Sequence, residues 1–416
     1  MKIRSLTYFF NPQYPLDETA LRKAGEFLAQ AKSAYEAAGY EVQTTRLATI
    51  PFPKLLNGKV DQLPLLAQKL SGMLNQVGVA YAALGPALIE FPESYAVIPE
   101  AISASENIFF GGVMADKKNG ISLQAIKACA KIIQQASSIT PDGFANLRFA
   151  ALANVKAGAP FFPAAYHDAD AEAPAFAIAV ESADLAVDAF SSGETLDVQR
   201  STLISEITKH GQAIAKVAQS LVTNYQLPAF KGIDFSLAPF PDDAHSLGGA
   251  VEAMGVTKIG LHGSLAAAAI LTEAVDCADF PHTGFSGFMQ PVLEDSVLAR
   301  RAAEGVLTVK DALLYSAVCG TGLDTVPLAG DVTAVEMAPL LLDLSALAMR
   351  LDKPLTARLM PVPGKRAGDA TEYDFGFFAN SRVMRLESEQ LSGALSGNET
   401  FQLSARKNDR SRFDPV

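Results

Sequence analysis

The chain has no tryptophan and only three cysteines among its 416 residues. Cys129, Cys277 and Cys319 show no Cys-x-x-Cys spacing, which argues against a disulfide framework and against a structural zinc site. No run of about 18 apolar residues occurs, so no membrane span is predicted. The first residues also lack the apolar stretch and cleavage site of a signal peptide. These absences predict a soluble protein in the reducing environment of the cytoplasm.

Positive charge is also scarce, because 34 Lys and Arg residues face 45 Asp and Glu residues and leave a net charge of −11. Phosphate backbones are bound by clustered cations, so a nucleic-acid partner is not expected. The basic residues near the end, Arg406, Lys407, Arg410 and Arg412, are expected to form a solvated tail. Hydrophobic residues make up 49% of the chain and predict a large buried core. A homodimer is expected for a large acidic cytoplasmic protein.

Strand-like and helix-like segments alternate along the chain, which predicts an α/β protein with parallel strands covered on both faces. The coarse reading gives ten to twelve strands. No linker divides the chain, so one domain is expected over residues 1–416, with a peripheral tail at about 386–416. The predicted strands are 2–9, 41–47, 79–84, 106–112, 146–153, 175–180, 233–237, 258–262, 323–326, 356–360 and 373–378. The predicted helices are 16–39, 61–76, 123–136, 201–223, 265–274, 296–304, 309–316 and 334–351.

Side chains that can do chemistry concentrate in short Gly-rich turns between residues 232 and 330. Residues 260–264 read Gly-Leu-His-Gly-Ser and are predicted to join a strand to an Ala-rich helix. Backbone N–H groups at such a helix start attract anions, so Gly263 and Ser264 are candidate anion ligands. His262 is a candidate acid–base group. An ordinary capped junction explains the same segment equally well.

Two carboxylates and one thiol complete the predicted catalytic set. Asp234 and Glu294 can serve in acid–base chemistry. Cys319 can act as a nucleophile at the mouth of a turn, or fill space as a small buried residue. The remaining candidate ligand-binding residues are Ser236, Ser286, Gly287, Gly320, Gly322 and Asp324. Ser286 is not read as a nucleophile elbow, since Phe288 stands where that turn needs a small residue.

His167 stands beside Asp168 and Asp170 in the sequence. Imidazole and carboxylate groups together can bind a divalent metal ion, and Asp295 is a second candidate ligand. A histidine in an acidic, solvated loop gives the same pattern. The sequence leaves both interpretations open, so a divalent metal is a candidate cofactor.

Taken in order, several motifs resemble the UPF0210 family, also called DUF711. The resemblance runs over most of the chain and is strongest between residues 146 and 330. It implies the fold of formate lyase-like glycyl radical enzymes, a ten-stranded α/β barrel built from two five-stranded parallel halves, and it implies no activity. The motifs are Ile-Arg-Ser-Leu-Thr at the start, Phe-Phe-Pro-Ala-Ala-Tyr-His (161–167), Asp-Phe-Ser-Leu-Ala-Pro (234–239), Gly-Leu-His-Gly-Ser (260–264), Ser-Gly-Phe-Met-Gln-Pro-Val-Leu-Glu-Asp (286–295) and Cys-Gly-Thr-Gly-Leu-Asp (319–324).

Two departures from the radical enzymes argue against a glycyl radical. The segment 382–386 reads Arg-Val-Met-Arg-Leu and offers no glycine, and Cys319 is followed by Gly320 rather than by a second cysteine. The leading hypothesis is a cytoplasmic hydrolase or lyase that acts on a small anionic metabolite in the barrel mouth. The alternative is a non-catalytic protein that binds or senses such a metabolite.

Overall fold

The computed structural model describes residues 1–225 and 228–406. Its eleven described strands belong to one sheet, in the order β8-β7-β1-β2-β3-β4-β6-β10-β9, with the short β5 and β11 attached beside β4. The strands are β1 (Lys2–Phe10), β2 (Val42–Thr49), β3 (Tyr81–Ala83), β4 (Ile108–Asp116), β5 (Gly120–Ser122), β6 (Phe149–Ala153), β7 (Ala175–Glu181), β8 (Ala229–Ala238), β9 (Gly322–Ala329), β10 (Leu355–Val362) and β11 (Thr400–Phe401).

The strand directions divide this sheet into groups. β1, β2, β3, β4 and β6 run parallel to one another, β7 is parallel to β8, and β9 is parallel to β10. The groups meet at two antiparallel seams, β1 with β7 and β6 with β10. The uniform parallel pairing predicted from the alternation of strands and helices therefore holds within each group and fails at the seams.

Residues between α9 (Ser264–Cys277) and α10 (Ser296–Ala303) run beside both outer strands of this order. Isolated parallel bridges join Ile233 to His282 and Ser236 to Gly287 next to β8, and Pro291 to Asp324 next to β9. The segment 282–292 therefore contacts the two ends of the sheet without forming a regular strand.

Helices follow most strands because their apolar residues recur at helical spacing, as in α1, where seven residues from Leu21 to Tyr35 are buried. Asp17 caps this helix through the N–H groups of Thr19 and Ala20. The other helices are α2 (Phe52–Leu55), α3 (Leu63–Leu74), α4 (Ile98–Ser103), α5 (Leu123–Ser137), α6 (Ala183–Phe190), α7 (Leu196–Tyr225), α8 (Leu247–Ala253), α9, α10, α11 (Val309–Tyr315) and α12 (Ala334–Leu351), and α1 itself is Glu18–Ala37.

Two predicted strands are wrong. Residues 258–262 form turns with one isolated bridge, Ile259 to Leu261, because the loop closes on itself rather than entering the sheet. Residues 373–378 are irregular, and their aromatic side chains pack into a local cluster with Phe144 instead of pairing as a strand. At both places the apolar and aromatic composition led to the prediction of a strand, although no strand forms there.

One face of the sheet is covered by a hydrophobic cluster that is separate from the main core. Phe162 packs there against Phe9, Ala48 and Phe109, and this cluster contains no helical residue. Ala164 packs against strand β6 and Phe285 in a neighbouring cluster. The segment 159–167, which lies between β6 and β7, thus folds back onto the inner side of the sheet.

The part of the C-terminal tail that is described lies against the body of the protein. β11 pairs with β5, and Arg350 donates a hydrogen bond of 2.8 Å to the carbonyl of Ser404. Residues 407–416, which include most of the predicted solvated basic tail, lie outside the described residues. The described chain is a mixed α/β protein with a large central sheet.

Candidate functional site

A cavity of about 370 Å³ lies on the face of the sheet that Phe109 and Phe162 cover, and the short 3₁₀ helix Phe144–Arg148 supplies part of its wall. It sits where β1 and β2 begin and where β7 and β8 end, since Gln43, Thr44, Ala179 and Ser236 all reach its wall. Opposite strand directions across the β1–β7 seam bring these ends together. Charged and aromatic side chains supply most of the remaining wall; the charged ones are Arg4, Arg46, Glu106, Arg148, Asp234, Glu294 and Arg358.

Glu294 forms the centre of an ion-pair chain that crosses the cavity. One of its oxygens accepts a hydrogen bond from Arg4 on β1, and the other accepts one of 2.8 Å from Arg358 on β10. Arg4 also pairs with Glu181 at 3.1 Å, and Arg358 pairs with Asp324. The chain joins strands from all three parallel groups, and each of these two arginines is matched by two carboxylates.

At one end of this ion-pair chain, Arg358 and Asp324 are both buried. Burial alone lowers the pKa of Arg358, but the charges of Asp324 and Glu294 outweigh it and raise that pKa overall. Burial raises the pKa of Asp324, and Glu294 adds to the rise while Arg358 opposes it. Oδ2 of Asp324 has no hydrogen-bond partner among the described residues. Removal of Arg358 would therefore leave the buried Asp324 without a counter-charge and Glu294 with Arg4 as its remaining partner.

Arg46 is placed differently. Its Nε donates to the hydroxyl of Thr44 at 2.9 Å, and within residues 1–225 and 228–406 no carboxylate lies at salt-bridge distance from it. Its guanidinium lies 5.0 Å from the ring centre of Phe162 and 5.9 Å from that of Tyr81. Burial, reinforced by the charge of Arg4, lowers the pKa of Arg46 to about 9 although the charge of Glu294 opposes the shift, so Arg46 stays cationic at neutral pH. Arg46 thus presents to the cavity a guanidinium that makes no direct ion pair within the described residues.

The other guanidinium on the wall has a nearby acid. Arg148 donates to the carbonyl of Ser105, and burial lowers the pKa of Arg148 to about 10 while the charge of Glu106 opposes that shift. Glu106 itself lines the cavity. Arg46 and Arg148 are thus the wall arginines without a salt bridge among the described residues, and Arg148 differs in donating to a backbone carbonyl.

Asp234 fixes the shape of the wall near β8. It accepts hydrogen bonds from the amides of Phe285 (2.9 Å) and Ser286 (3.0 Å) and from the hydroxyl of Ser236 (2.6 Å). Burial raises the pKa of Asp234, although these three donors oppose the rise. Gly284 has a φ of +67°, and a Cβ there would lie 2.2 Å from Oδ2 of Asp234. The carboxylate therefore holds the 284–286 turn against the sheet.

The structure brings only part of the predicted site together. Asp234, Ser236 and Glu294 line the cavity, and Asp324 lies directly behind it as a partner of Arg358. Ser286 and Gly287 belong to the turn that Asp234 holds, and Gly287 pairs with β8. The catalytic and ligand-binding roles predicted for these residues stay predictions.

The predicted anion loop at 260–264 lies outside the cavity wall. His262 and Gly263 are exposed, whereas Ser264 is buried. The Ser264 hydroxyl donates to the carbonyl of Leu261 (2.7 Å) and accepts from the amide of Gly260 (3.1 Å). These contacts close the loop before α9, as an ordinary turn–helix junction does.

Cys319 is buried near the end of α11 and does not line the cavity. Burial raises its pKa, and its sulfur accepts the amide of Gly322 at 3.2 Å. Gly320 donates its amide to the carbonyl of Phe288 at 2.8 Å. A buried thiol with a raised pKa is a poor nucleophile, so these contacts favour the packing interpretation of Cys319.

The two candidate metal ligands have other partners. His167 is buried, its amide bonds to the carbonyl of Thr49, and burial lowers its pKa. Thr49 ends β2, six residues and about 20 Å of extended chain from the cavity residue Gln43. Asp295 caps α10 through two amides and also accepts from Ser246. In the described part of the chain, no group of three or more His, Cys, Asp or Glu side chains is placed to hold a metal ion.

Comparison with known proteins decides the family. The family model described as "Uncharacterised ACR (DUF711)" matches residues 1–380. The chain belongs to the DUF711 family. A UPF0210 protein of Pyrobaculum arsenaticum is 33% identical over 359 residues, covering 81% of this chain and 77% of the relative. UPF0210 proteins of Neisseria gonorrhoeae (29%; 84% and 80% covered) and Methanopyrus kandleri (29%; 86% and 82%) are similar over most of their length.

These comparisons confirm the predicted resemblance to UPF0210 and DUF711, and the names of this family and of these relatives state no activity. The membrane prediction also has a direct structural counterpart. Within the described residues of this DUF711 chain, every helix is too short or too polar to cross a bilayer.

Sequence reasoning missed the arginines of this DUF711 protein. Arg46 and Arg358 each stand in the middle of a strand that is otherwise mostly apolar or β-branched. A charged residue at such a position is rarely buried without a partner or a function. That signal was present in the sequence, whereas the identity of the partners required the folded sheet.

Proposed function

We propose that this protein binds a small organic anion in the cavity on the inner side of its sheet. The observation that carries the proposal is Arg46, a cation without a carboxylate partner whose guanidinium faces a half-enclosed, largely apolar space. A cation in such surroundings is costly unless an anion neutralises it. The volume of about 370 Å³ falls within the range of small-molecule pockets.

The strand arrangement supports the finer fold proposal, a closed ten-stranded barrel. The first group supplies five parallel strands, and β7, β8, β9 and β10 would become a second group of five if segment 282–292 counts as the tenth strand. Its bridges to β8 and β9 are both parallel, as a half-barrel requires. In this arrangement the cavity occupies one mouth of the barrel.

Binding is supported better than catalysis by the groups on the wall. Both oxygens of Asp234 accept hydrogen bonds from the 284–286 turn or Ser236, and both oxygens of Glu294 are held by arginines. These contacts give both carboxylates a structural role that accounts for their burial. Hydrolase or lyase activity therefore stays a prediction, as do a cytoplasmic location and a homodimer.

The proposal is tested by calorimetric titration with a mixed panel of monocarboxylates, dicarboxylates and phosphate monoesters. We expect at least one member to bind the natural protein and to lose most of its affinity for Arg46→Met. Arg300→Met is the matched control, because Arg300 pairs with Asp243 on the surface and does not line the cavity. Binding that survives Arg46→Met, or no binding by any member at millimolar concentration, would contradict the proposal.

Mass spectrometry of the ligand after prolonged incubation separates binding from turnover. Recovery of the ligand unchanged supports a binding or sensing protein. Conversion of the ligand that depends on Asp234 or Glu294 would instead support the enzyme hypothesis.

A further inference from the structure

We infer that the ligand is a monocarboxylate with an aryl or alkyl body, and that its carboxylate binds Arg46. This inference rests on the proposed function and adds the chemical class of the anion. Three features of the cavity support it: the balance of charges in its wall, the free terminal N–H groups of Arg46, and the aromatic side chains that line the remaining space.

The charge balance favours a single negative charge. Arg4 and Arg358 already share Glu294, so their charges are matched inside the wall. Arg46 and Arg148 make no salt bridge among the described residues, while Glu106 and Asp234 face the same space. A dianion would therefore meet two carboxyl groups as well as these two cations in a poorly solvated site, where like charges repel strongly.

The contacts of Arg46 favour a planar anion. Its Nε is engaged by the Thr44 hydroxyl, which in turn donates to the carbonyl of Arg4 at 2.7 Å. The Phe162 and Tyr81 rings restrict the guanidinium from its sides. The terminal nitrogens remain available, and a planar fork of N–H donors matches the two oxygens of a carboxylate.

Aromatic side chains surround the remaining space. Phe109 and Phe161 line its inner part, and Phe144, Phe375 and Phe377 line it on the side of the irregular segment 373–378. At about 30 Å³ for each water-sized group, the volume accepts a ligand on the order of a dozen non-hydrogen atoms. A carboxylate joined to one ring or a short branched chain has this size.

The test uses 3-phenylpropionate as the probe and changes one property at a time. Its neutral amide removes the charge, phenyl phosphate replaces the group by one that is mostly dianionic at neutral pH, and acetate removes the apolar body. Each is titrated by calorimetry into the natural protein, Arg46→Met and the surface control Arg300→Met. Arg46→Lys is the conservative variant, since it keeps the charge and loses the fork.

We expect 3-phenylpropionate to bind at least tenfold more tightly than the amide, phenyl phosphate or acetate. Arg46→Met should weaken it by about 10- to 150-fold, as loss of a hydrogen bond to a charged group does. Arg46→Lys should restore only part of this loss, and Arg300→Met should change nothing.

The outcomes separate this inference from the function on which it rests. If phenyl phosphate binds more tightly than 3-phenylpropionate and depends on Arg46, the cavity binds anions and the carboxylate inference is overturned. If acetate binds as well as 3-phenylpropionate, the apolar body is overturned. If neither 3-phenylpropionate nor any panel anion binds, the proposed function fails together with the inference.

Discussion

Arg358 and Arg46 lie over the adjacent phenylalanines Phe161 and Phe162, and their replacement by methionine should have unequal effects on stability. Arg358→Met leaves Asp324 and Glu294 buried without the cation that both contact, and we expect a loss of about 3–5 kcal/mol in the free energy of unfolding. Arg46→Met removes a cation that has no carboxylate partner in the described structure. Its methionine can pack against Phe162, so we expect no loss of stability.

Urea denaturation followed by far-UV circular dichroism measures the free energy of unfolding of both variants. Because the chain has no tryptophan, a single introduced tryptophan would give a fluorescence signal without background. The pH dependence gives a second check. Without Arg358 the folded-state pKa of Asp324, already raised, rises further above its unfolded value, so the carboxyl group binds protons more tightly when folded. Stability of Arg358→Met should therefore fall as the pH rises above about 4, the pKa of an unfolded aspartate. Equal destabilisation by both substitutions would refute the assignment of matched and unmatched arginines.

Four smaller predictions concern the same wall and its surroundings. Phenylglyoxal, which attacks the neutral guanidine, should modify Arg46 before Arg358, and peptide mass mapping would show the order. Asp234→Asn should cost about 1–3 kcal/mol and speed hydrogen exchange of the two turn amides, because one amide would face an NH2 group. Gly284→Ala should lower the melting temperature, since its Cβ would collide with Asp234; an unchanged melting curve would contradict this contact. His262→Ala, an exposed change outside the cavity, should leave both melting temperature and anion binding unaltered in the same titrations.

Regular elements with strong periodicity were predictable from the sequence. The helix at 334–351 was predicted with the bounds that α12 has, because its apolar residues repeat at helical spacing, and the structure shows a capping box that begins at Thr333. The turn at 258–262 was misread because a short apolar run has no period long enough to separate strand from loop. The two antiparallel seams were also beyond prediction, since they depend on which strand edges meet.

The candidate site was predictable only where it lies in turns. Asp234 and Glu294 were found because they belong to motifs next to Gly-rich turns. Arg46 was missed because a single charged residue within β2 gives no sign of which side of the sheet it faces. The role proposed for Arg46 depends on the lack of a carboxylate at salt-bridge distance among the described residues. This lack can be seen only in the folded structure.

The side chains of the adjacent residues Phe161 and Phe162 contact different parts of the sheet. Phe162 meets Phe109 of β4 with ring centres 5.4 Å apart, and Phe161 meets Phe285 at 5.3 Å and lies under Arg358 of β10. A fragment that ends after β6 would lack Phe161 and Phe162. The face of its sheet that Phe162 covers in the whole protein would then be exposed. The two halves are therefore expected to unfold as one cooperative body, and neither should persist when produced as a separate fragment.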